Sequence, residues 1–198
     1  MSHAAIRQPV LSSSKQPKYA LPAWVSCLSV ALFFMFEFMQ LNVFNALGPA
    51  LLSYFNVSAA KLGNLSAFYV YAVVICLFPM GILLDRYSTR LIVSSCMFVC
   101  VVCVFLFSMA TALWQAEVCR FLTGVAGSAC VLSCVRLTSR WFPANRMAFV
   151  LGVIATIVML GGFLAQTVMT DLADQLGWRG ALLCDAAFGL VLWFGVMF

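Results

Sequence analysis

The chain has 198 residues, of which 65% are hydrophobic and only 9% are charged, and its mean hydropathy is +1.07. Soluble globular domains carry roughly 25% charged residues, so this composition excludes a cytosolic enzyme and a nucleic-acid-binding module. A transmembrane helix needs about 20 apolar residues, so a polytopic membrane protein of this length has room for about six or seven spans.

The N-terminal residues 1–21 form a polar, basic tail that contains Arg7, Lys15 and Lys18. The hydrophobic stretch behind this tail is too long for the core of a signal peptide, so we interpret it as the first span and as an uncleaved anchor. Further apolar runs of helix length follow, and together they predict an all-α membrane protein with one six-span transmembrane bundle over 22–198. The predicted spans are 22–46, 60–83, 91–112, 117–138, 147–169 and 179–198.

Short polar breaks, some with glycine or proline, separate the runs and are predicted loops. In chain order these breaks are Gly48-Pro49, Asp85–Arg90, Trp114-Gln115, Arg140–Arg146 and Asp171–Trp178. If the N-terminus is cytoplasmic, only Lys61 and Arg179 lie outside. The basic residues on the cytoplasmic side are then Arg7, Lys15, Lys18, Arg86, Arg90, Arg136, Arg140 and Arg146. The positive-inside rule therefore predicts that both termini are cytoplasmic, and we expect a bacterial inner (plasma) membrane.

The nine cysteines all fall inside apolar runs, and the single histidine, His3, lies in the polar tail. Buried cysteine behaves as a small hydrophobe that helps helices pack closely, so we favour a packing role over a metal or redox site. The sequence has no intramembrane histidine and no aspartate pair spaced like a protease dyad. We therefore expect no catalytic residue, no metal and no cofactor, and an intramembrane enzyme is disfavoured.

The second predicted loop and its flanks carry a spaced motif of glycine and charged residues. The pattern G-x-x-x-D-[RK]-x-G-x-[RK]-[RK] is matched by Gly81, Asp85, Arg86 and Arg90. Ser88 replaces its second glycine and Leu91 its final basic residue. In this pattern the chain resembles the major facilitator superfamily, whose signature lies between the second and third helices. The resemblance implies that Asp85 contacts the opposite half of the transporter and that this loop latches one conformation.

Other short motifs extend the resemblance over about residues 22–198. Arg120-x-x-x-Gly124, Trp141-Phe142-Pro143 with Arg146, and Gly177-Trp178-Arg179 are similar to elements of the fourth helix, the fourth loop and the sixth helix. The resemblance implies half of the twelve-helix major facilitator fold, with six helices arranged as two inverted three-helix repeats. The antiporter signature of the fifth helix is incomplete, because Ala165 and Gln166 stand in place of its Gly-Pro. Antiport is therefore not supported by motif.

Polar residues inside the predicted spans are the candidate site, because charge at membrane depth is costly unless it is paired or hydrated. Glu37 and Gln40 are three residues apart, hence on nearly one face of the first span. Asn42 and Asn45 extend this polar face, and Arg120 lies within the fourth span. The resemblance implies that the first and fourth helices line the central cavity. Glu37 would then face water, solute or a coupling proton; a structural hydrogen bond is the alternative.

The other intramembrane charges have structural interpretations. Arg120 can pair with Glu117 at i,i+3 on one helix, or it can face the cavity and hold a carboxylate or Glu37. Arg136 is near the inner end of its span, where we expect it to reach the headgroups. Asp185 is two turns into the last span, and we expect a structural contact with Arg179.

These patterns predict secondary transport of a small polar or charged solute by alternating access. The solute class stays open between a zwitterion or dipeptide and an organic anion. The alternative is a truncated or partner-dependent half without transport activity of its own, because the last run ends at Phe198 without a polar tail. The expected partners are a small-molecule solute, the lipid bilayer and a second six-helix half or a homodimer, with no nucleic acid.

Overall fold

The computed structural model describes residues 20–197, and the predicted polar tail with Arg7, Lys15 and Lys18 lies outside them. The regular secondary structure of the described residues is entirely helical, without strands. Five of their helices are long and apolar enough to cross a membrane. They are α1 (Ala20–Phe55), α2 (Ala59–Arg86), α3 (Thr89–Ser108), α4 (Leu113–Trp141) and α5 (Ala144–Met197).

Serine side chains begin two of these helices. Ser58 accepts from the Lys61 amide at the start of α2, and Ser88 accepts from the Leu91 amide at the start of α3. A hydroxyl oxygen at this position satisfies one of the amide groups that have no partner within the first turn. The serine that replaces the motif's second glycine therefore serves as the N-cap of α3.

Helix α1 continues through Gly48-Pro49, where the sequence predicted the first loop. Proline removes a single helical hydrogen bond, here to the Asn45 carbonyl one turn earlier. In an apolar environment the other backbone groups remain paired inside the helix, so one such interruption is tolerated. The chain turns later, at Asn56, whose φ of 50° asparagine tolerates better than most residues.

Helix α5 is interrupted at Gly177, which has φ 74° and ψ 167°. A straight helix of its 54 residues would be about 80 Å long, well beyond a hydrocarbon core of about 30 Å. The two segments, 144–176 and 178–197, both pack against the same turn of α1, because Gly162 lies on Phe38 and Gly189 lies on Phe36. The predicted fifth loop thus shrinks to a break at one residue.

Glycines set the close contact between α1 and α5. A Cβ atom at Gly161 would collide with the Met35 carbonyl, and one at Gly189 would collide with the Phe36 ring. Small residues at such positions let helix backbones approach each other. The first helix is consequently buried between both segments of α5, and its polar residues face the interior of the bundle.

The bundle has two distinct ends. The Arg90 end contains the turns at 86–89 and 141–144 together with the end of α5, where Arg90 donates to the Met197 carbonyl. The Gly177 end contains the turns at 55–59 and 108–113, where Trp178 packs on Tyr54 with ring centroids 5.0 Å apart. Every helix joins these two ends, so residues near the helix centres lie near the middle of the bundle.

Candidate functional site

A buried polar cluster lies in the interior of the bundle, where α1, α2, α4 and α5 meet. It consists of Glu37, Gln40, Tyr69, Arg120 and Asp185, with exposures of 1%, 1%, 7%, 3% and 0%. Ionisable groups within membrane-spanning segments are expensive and tend to mark pathways for ions or solutes. The cluster therefore constitutes the candidate site.

Two side chains of α1 connect the cluster to the helices on either side. Glu37 Oε2 accepts a hydrogen bond from Tyr69 Oη of α2 at 3.1 Å. One turn later, Gln40 Nε2 donates to Asp185 Oδ2 of α5 at 2.6 Å. The three-residue spacing that the sequence showed brings both groups to the interior.

Arg120 of α4 contacts α1 through its backbone and an aromatic ring. Its Nη2 donates to the Gln40 carbonyl at 2.9 Å, and its guanidinium carbon lies 3.8 Å from the centre of the Phe44 ring. A cation over an aromatic face is attracted by the negative face of the ring. In the described part of the chain the ion pair within 4.0 Å is Arg136 with Asp85, so Arg120 does not pair with Glu117.

Three polar atoms of the cluster are buried and make no hydrogen bond within residues 20–197: Glu37 Oε1, Arg120 Nε and Asp185 Oδ1. A cavity of about 10 Å³ lies beside Gln40 and Arg120 and is lined as well by Thr123. A cavity of that size is about as large as one water molecule. The site thus has both donor and acceptor capacity that its own side chains do not use.

Two glycines of α4 let α2 reach the cluster. A Cβ atom at Gly124 would collide with the Tyr69 carbonyl and lie 2.8 Å from Ala72 Cβ. At Gly127 it would lie 2.7 Å from Tyr69 Oη and 2.9 Å from Glu37 Oε2. The glycine of the Arg120-x-x-x-Gly124 motif therefore has a packing role, and the next one leaves room for the hydrogen bond to Glu37.

The structure brings together three of the predicted site residues, Glu37, Gln40 and Arg120, and leaves two outside the cluster. Asn42 is half-buried, and its Nδ2 donates to the Phe38 carbonyl of its own helix at 2.8 Å. Asn45 is exposed. The Asn42 amide lies beside Gly162 of α5, 3.6 Å from where a Cβ atom there would be.

The predicted contact between Asp185 and Arg179 is wrong. Arg179 donates to Tyr54 Oη at 2.6 Å and to the Ala110 carbonyl at 3.1 Å, at the Gly177 end. Asp185 lies six residues later, nearly two turns deeper, and binds Gln40 instead. A charged residue at this depth was a signal for the site, but the identity of its partner depends on packing between distant helices.

The motif loop lies at the Arg90 end. Arg136 Nη1 donates to Asp85 Oδ1 at 3.0 Å and also to the Leu84 carbonyl, so this arginine holds the end of α2 and does not simply extend to the headgroups. Gly81 faces α4, since a Cβ atom there would lie 4.0 Å from Leu132. Arg86 is exposed in the last turn of α2.

The cysteines within residues 20–197 are all free thiols. No group of three or more histidine, cysteine, aspartate or glutamate side chains in that range has an arrangement that would hold a metal ion. Cys100 of α3 is buried beside Glu37, so α3 borders the cluster at this residue.

Long apolar helices, a lipid-compatible exterior and a buried charged centre define a multi-pass integral membrane protein of the transporter class. The sequence profile of the Major Facilitator Superfamily matches residues 27–198, so the chain belongs to this family. The family resemblance that the loop motif indicated is thereby confirmed. Members of this family carry small-molecule solutes across a lipid bilayer, and these are the solute and membrane partners that the sequence predicted.

A curated relative is the probable nitrate/nitrite antiporter NarK1 of Thermus thermophilus, which is 27% identical over 205 residues. That match covers 96% of this chain and 45% of the relative. The chain therefore spans less than half the length of this curated relative.

Solved structures of a bacterial homologue of the human lysosomal transporter Spinster share the fold. The inward-facing, unoccupied form superposes with a TM-score of 0.79 at 16% identity and covers 91% of this chain and 43% of that one. The occupied form gives a TM-score of 0.76 at 16% identity over 86% of this chain and 42% of that one. At this identity the similarity establishes the fold alone.

Proposed function

We propose that the chain acts in secondary transport of a small polar or charged solute by alternating access, as the N-terminal half of a major facilitator transporter. The observation that carries this proposal is the buried cluster around Glu37 and Arg120, which four helices build inside an otherwise apolar bundle. Charges at this depth destabilise a purely structural core, so their retention supports a role in moving a solute or an ion.

The same proposal includes the finer architecture. We infer six crossings in two inverted three-helix repeats, with the segments 144–176 and 178–197 each crossing once. Both termini then lie in the cytoplasm, and the membrane is the bacterial inner membrane. Asn42 and Asn45 would face the second half, and the loop of Gly81, Asp85, Arg86 and Arg90 would latch one conformation against it.

The charge of the cluster bears on the solute. Two carboxyl groups and one guanidinium suit a solute that brings a positive group, such as a zwitterionic amino acid or dipeptide, better than a simple anion. The T. thermophilus relative is named for nitrate and nitrite. An inorganic or organic anion is therefore the competing class, with Arg120 as its binding group.

Uptake into proteoliposomes that contain the full 198-residue chain tests this proposal. We expect uptake of a labelled dipeptide to exceed that of labelled nitrate, and we expect Glu37→Gln and Arg120→Gln each to lower it at least about tenfold. Glu117→Gln is the matched control, because this half-exposed residue lies outside the cluster, and it should leave uptake unchanged.

Preferential uptake of nitrate would overturn the zwitterion assignment. If the chain alone moves neither compound, independent transport of both solute classes is refuted, and the alternative of a truncated or partner-dependent half gains support.

A further inference from the structure

Asp185 contributes a second carboxyl group to a site that holds one guanidinium. If Glu37, Asp185 and Arg120 were all ionised, the buried cluster would carry a net charge of −1. The other arginines with contacts in the described range lie at the bundle ends, where Arg136 binds Asp85 and Arg179 binds Tyr54. An uncompensated charge in an apolar interior costs several kcal/mol, so the closed cluster is most stable with one proton on its carboxyl pair.

The hydrogen-bond partners differ in what they allow each carboxyl group to do. An amide NH₂ group only donates, so Asp185 Oδ2 must accept from Gln40 Nε2, and the short distance of 2.6 Å suits an ionised acceptor. A phenol hydroxyl both donates and accepts. Tyr69 can therefore donate to an ionised Glu37 and accept from a protonated one, which makes Glu37 the member able to take the proton without losing its partner.

Gln40 couples Asp185 to the arginine. Its side chain donates to Asp185, while its backbone carbonyl accepts from Arg120 Nη2 at 2.9 Å. Loss of the Asp185 carboxylate would free the Gln40 side chain from its hydrogen bond and remove a negative charge that compensates Arg120. Asp185 thus acts on the site through other residues, without a direct contact to Arg120 within 4.0 Å.

We propose that Asp185 is a positioning residue of the transport site and that Asp185 and Glu37 share one proton opposite the single charge of Arg120. This inference rests on the proposed transport function and names the ion that the site would exchange. Opening of the cluster to water would let both carboxyl groups ionise and release that proton; closure would take it up again.

Each helix that packs on Glu37 presents a titratable group to it. The phenol of Tyr69 comes from α2, Arg120 comes from α4 and Asp185 comes from α5. The thiols are those of Cys96, Cys100 and Cys103 from α3 and of Cys130 from α4. Arg120 is the one cation among them. Thiols and phenols are ordinarily neutral at physiological pH, so the proton balance of the site depends on Glu37, Asp185 and Arg120.

Infrared spectroscopy of the full chain in nanodiscs at neutral pH, without any solute, tests the shared proton. The C=O stretch of a protonated carboxyl group should be present at the intensity of one group. Glu37→Gln should abolish it. Asp185→Asn should abolish it as well, because Glu37 then stands alone opposite Arg120 and ionises. Arg120→Gln should roughly double it, because neither carboxyl group retains a compensating charge.

Asp185→Glu should restore the wild-type band, and Asp174→Asn, an exposed acid of the same helix, should not change it. A full band in Asp185→Asn, or no band in the wild-type chain, would refute the shared proton. Thermal melting of each variant identifies any that fail to fold. The larger C=O band expected for Arg120→Gln is a second, independent test, because it is a gain of signal and not a loss. Since no transport is measured, failure of the transport proposal and failure of this one are separate results.

Discussion

The phenol of Tyr69 is the hydrogen-bonding partner of Glu37 Oε2, and it lies on the face of α2 opposite Tyr71. The alternation of the two tyrosines along the helix was visible in the sequence, but which of them faces inward depends on the packing of α2 against α4. Gly124 and Gly127 create that packing by admitting the Tyr69 backbone and hydroxyl.

Removal of this hydroxyl should weaken the bundle. Tyr69→Phe leaves the buried Glu37 carboxyl group without its hydrogen-bond partner, so we expect the free energy of unfolding to fall by about 1–3 kcal/mol. The change is measurable as a lower melting temperature in detergent. Tyr71→Phe removes the same atom from a residue that is 59% exposed and should have no effect. Equal stability of the two variants would contradict the assigned role of Tyr69.

The methyl group added by Gly127→Ala, on α4, should disrupt the same hydrogen bond between Tyr69 and Glu37. Because the new Cβ would lie 2.7 Å from Tyr69 Oη, the phenol must move away from Glu37, and both stability and uptake should decrease. Gly152→Ala adds a methyl group where no atom lies within 4 Å. There the better helix propensity of alanine should raise stability slightly, by up to about 1 kcal/mol. If Gly152→Ala were as damaging, the Gly127 result would not be specific to the site.

Helix ends were predicted less well than helix positions. The run 22–46 lies inside Ala20–Phe55, because a proline in an apolar helix ends it less readily than one in water. Asp171 and Asp174 belong to α5 although they were assigned to a loop. Composition shows where a segment is apolar, whereas the end of a helix depends on caps and turns, such as Asn56 and Gly177, that apolar patterning does not reveal.

The break in α5 depends on one glycine. With φ 74° and ψ 167°, Gly177 has a backbone conformation that side-chain-bearing residues essentially do not adopt. Gly177→Ala should therefore cost about 1–3 kcal/mol of stability. Gly195→Ala, in the helical part of the same element and with no atom within 4 Å, is the control and should not destabilise. A melting temperature for Gly177→Ala equal to that of the control would show that the two segments tolerate another connection.

The candidate site shows what a sequence leaves open between helices. Glu37, Gln40 and Arg120 were identified from charge at membrane depth and from helical spacing. These local signals can show which residues of a helix belong to a site, but not which residues of other helices they contact. Asp185 was expected to make a structural contact with Arg179, which lies six residues before it. Its real partner, Gln40, is 145 residues away, and this pairing arises from the glycine contacts that hold α5 on α1.

The distribution of charge over the whole bundle predicts its orientation. Arg86, Arg90, Arg140 and Arg146 lie at the Arg90 end, whereas Lys61 and Arg179 lie at the Gly177 end. Basic residues near helix ends are retained on the cytoplasmic side during insertion. We therefore expect the Arg90 end to face the cytoplasm, with the motif loop accessible to the cell interior.

Labelling of one introduced cysteine at a time with a membrane-impermeant maleimide in cells tests this orientation. In a Cys184→Ser background, Asp174→Cys should react in intact cells because it is exposed near the Gly177 end. Ser88→Cys is equally exposed at the other end and should react only after lysis. The remaining native thiols are buried or half-buried within the helices and should contribute little signal, and the background chain measures that contribution. Labelling of Ser88→Cys in intact cells, with Asp174→Cys protected, would invert the topology and move the latch loop outside.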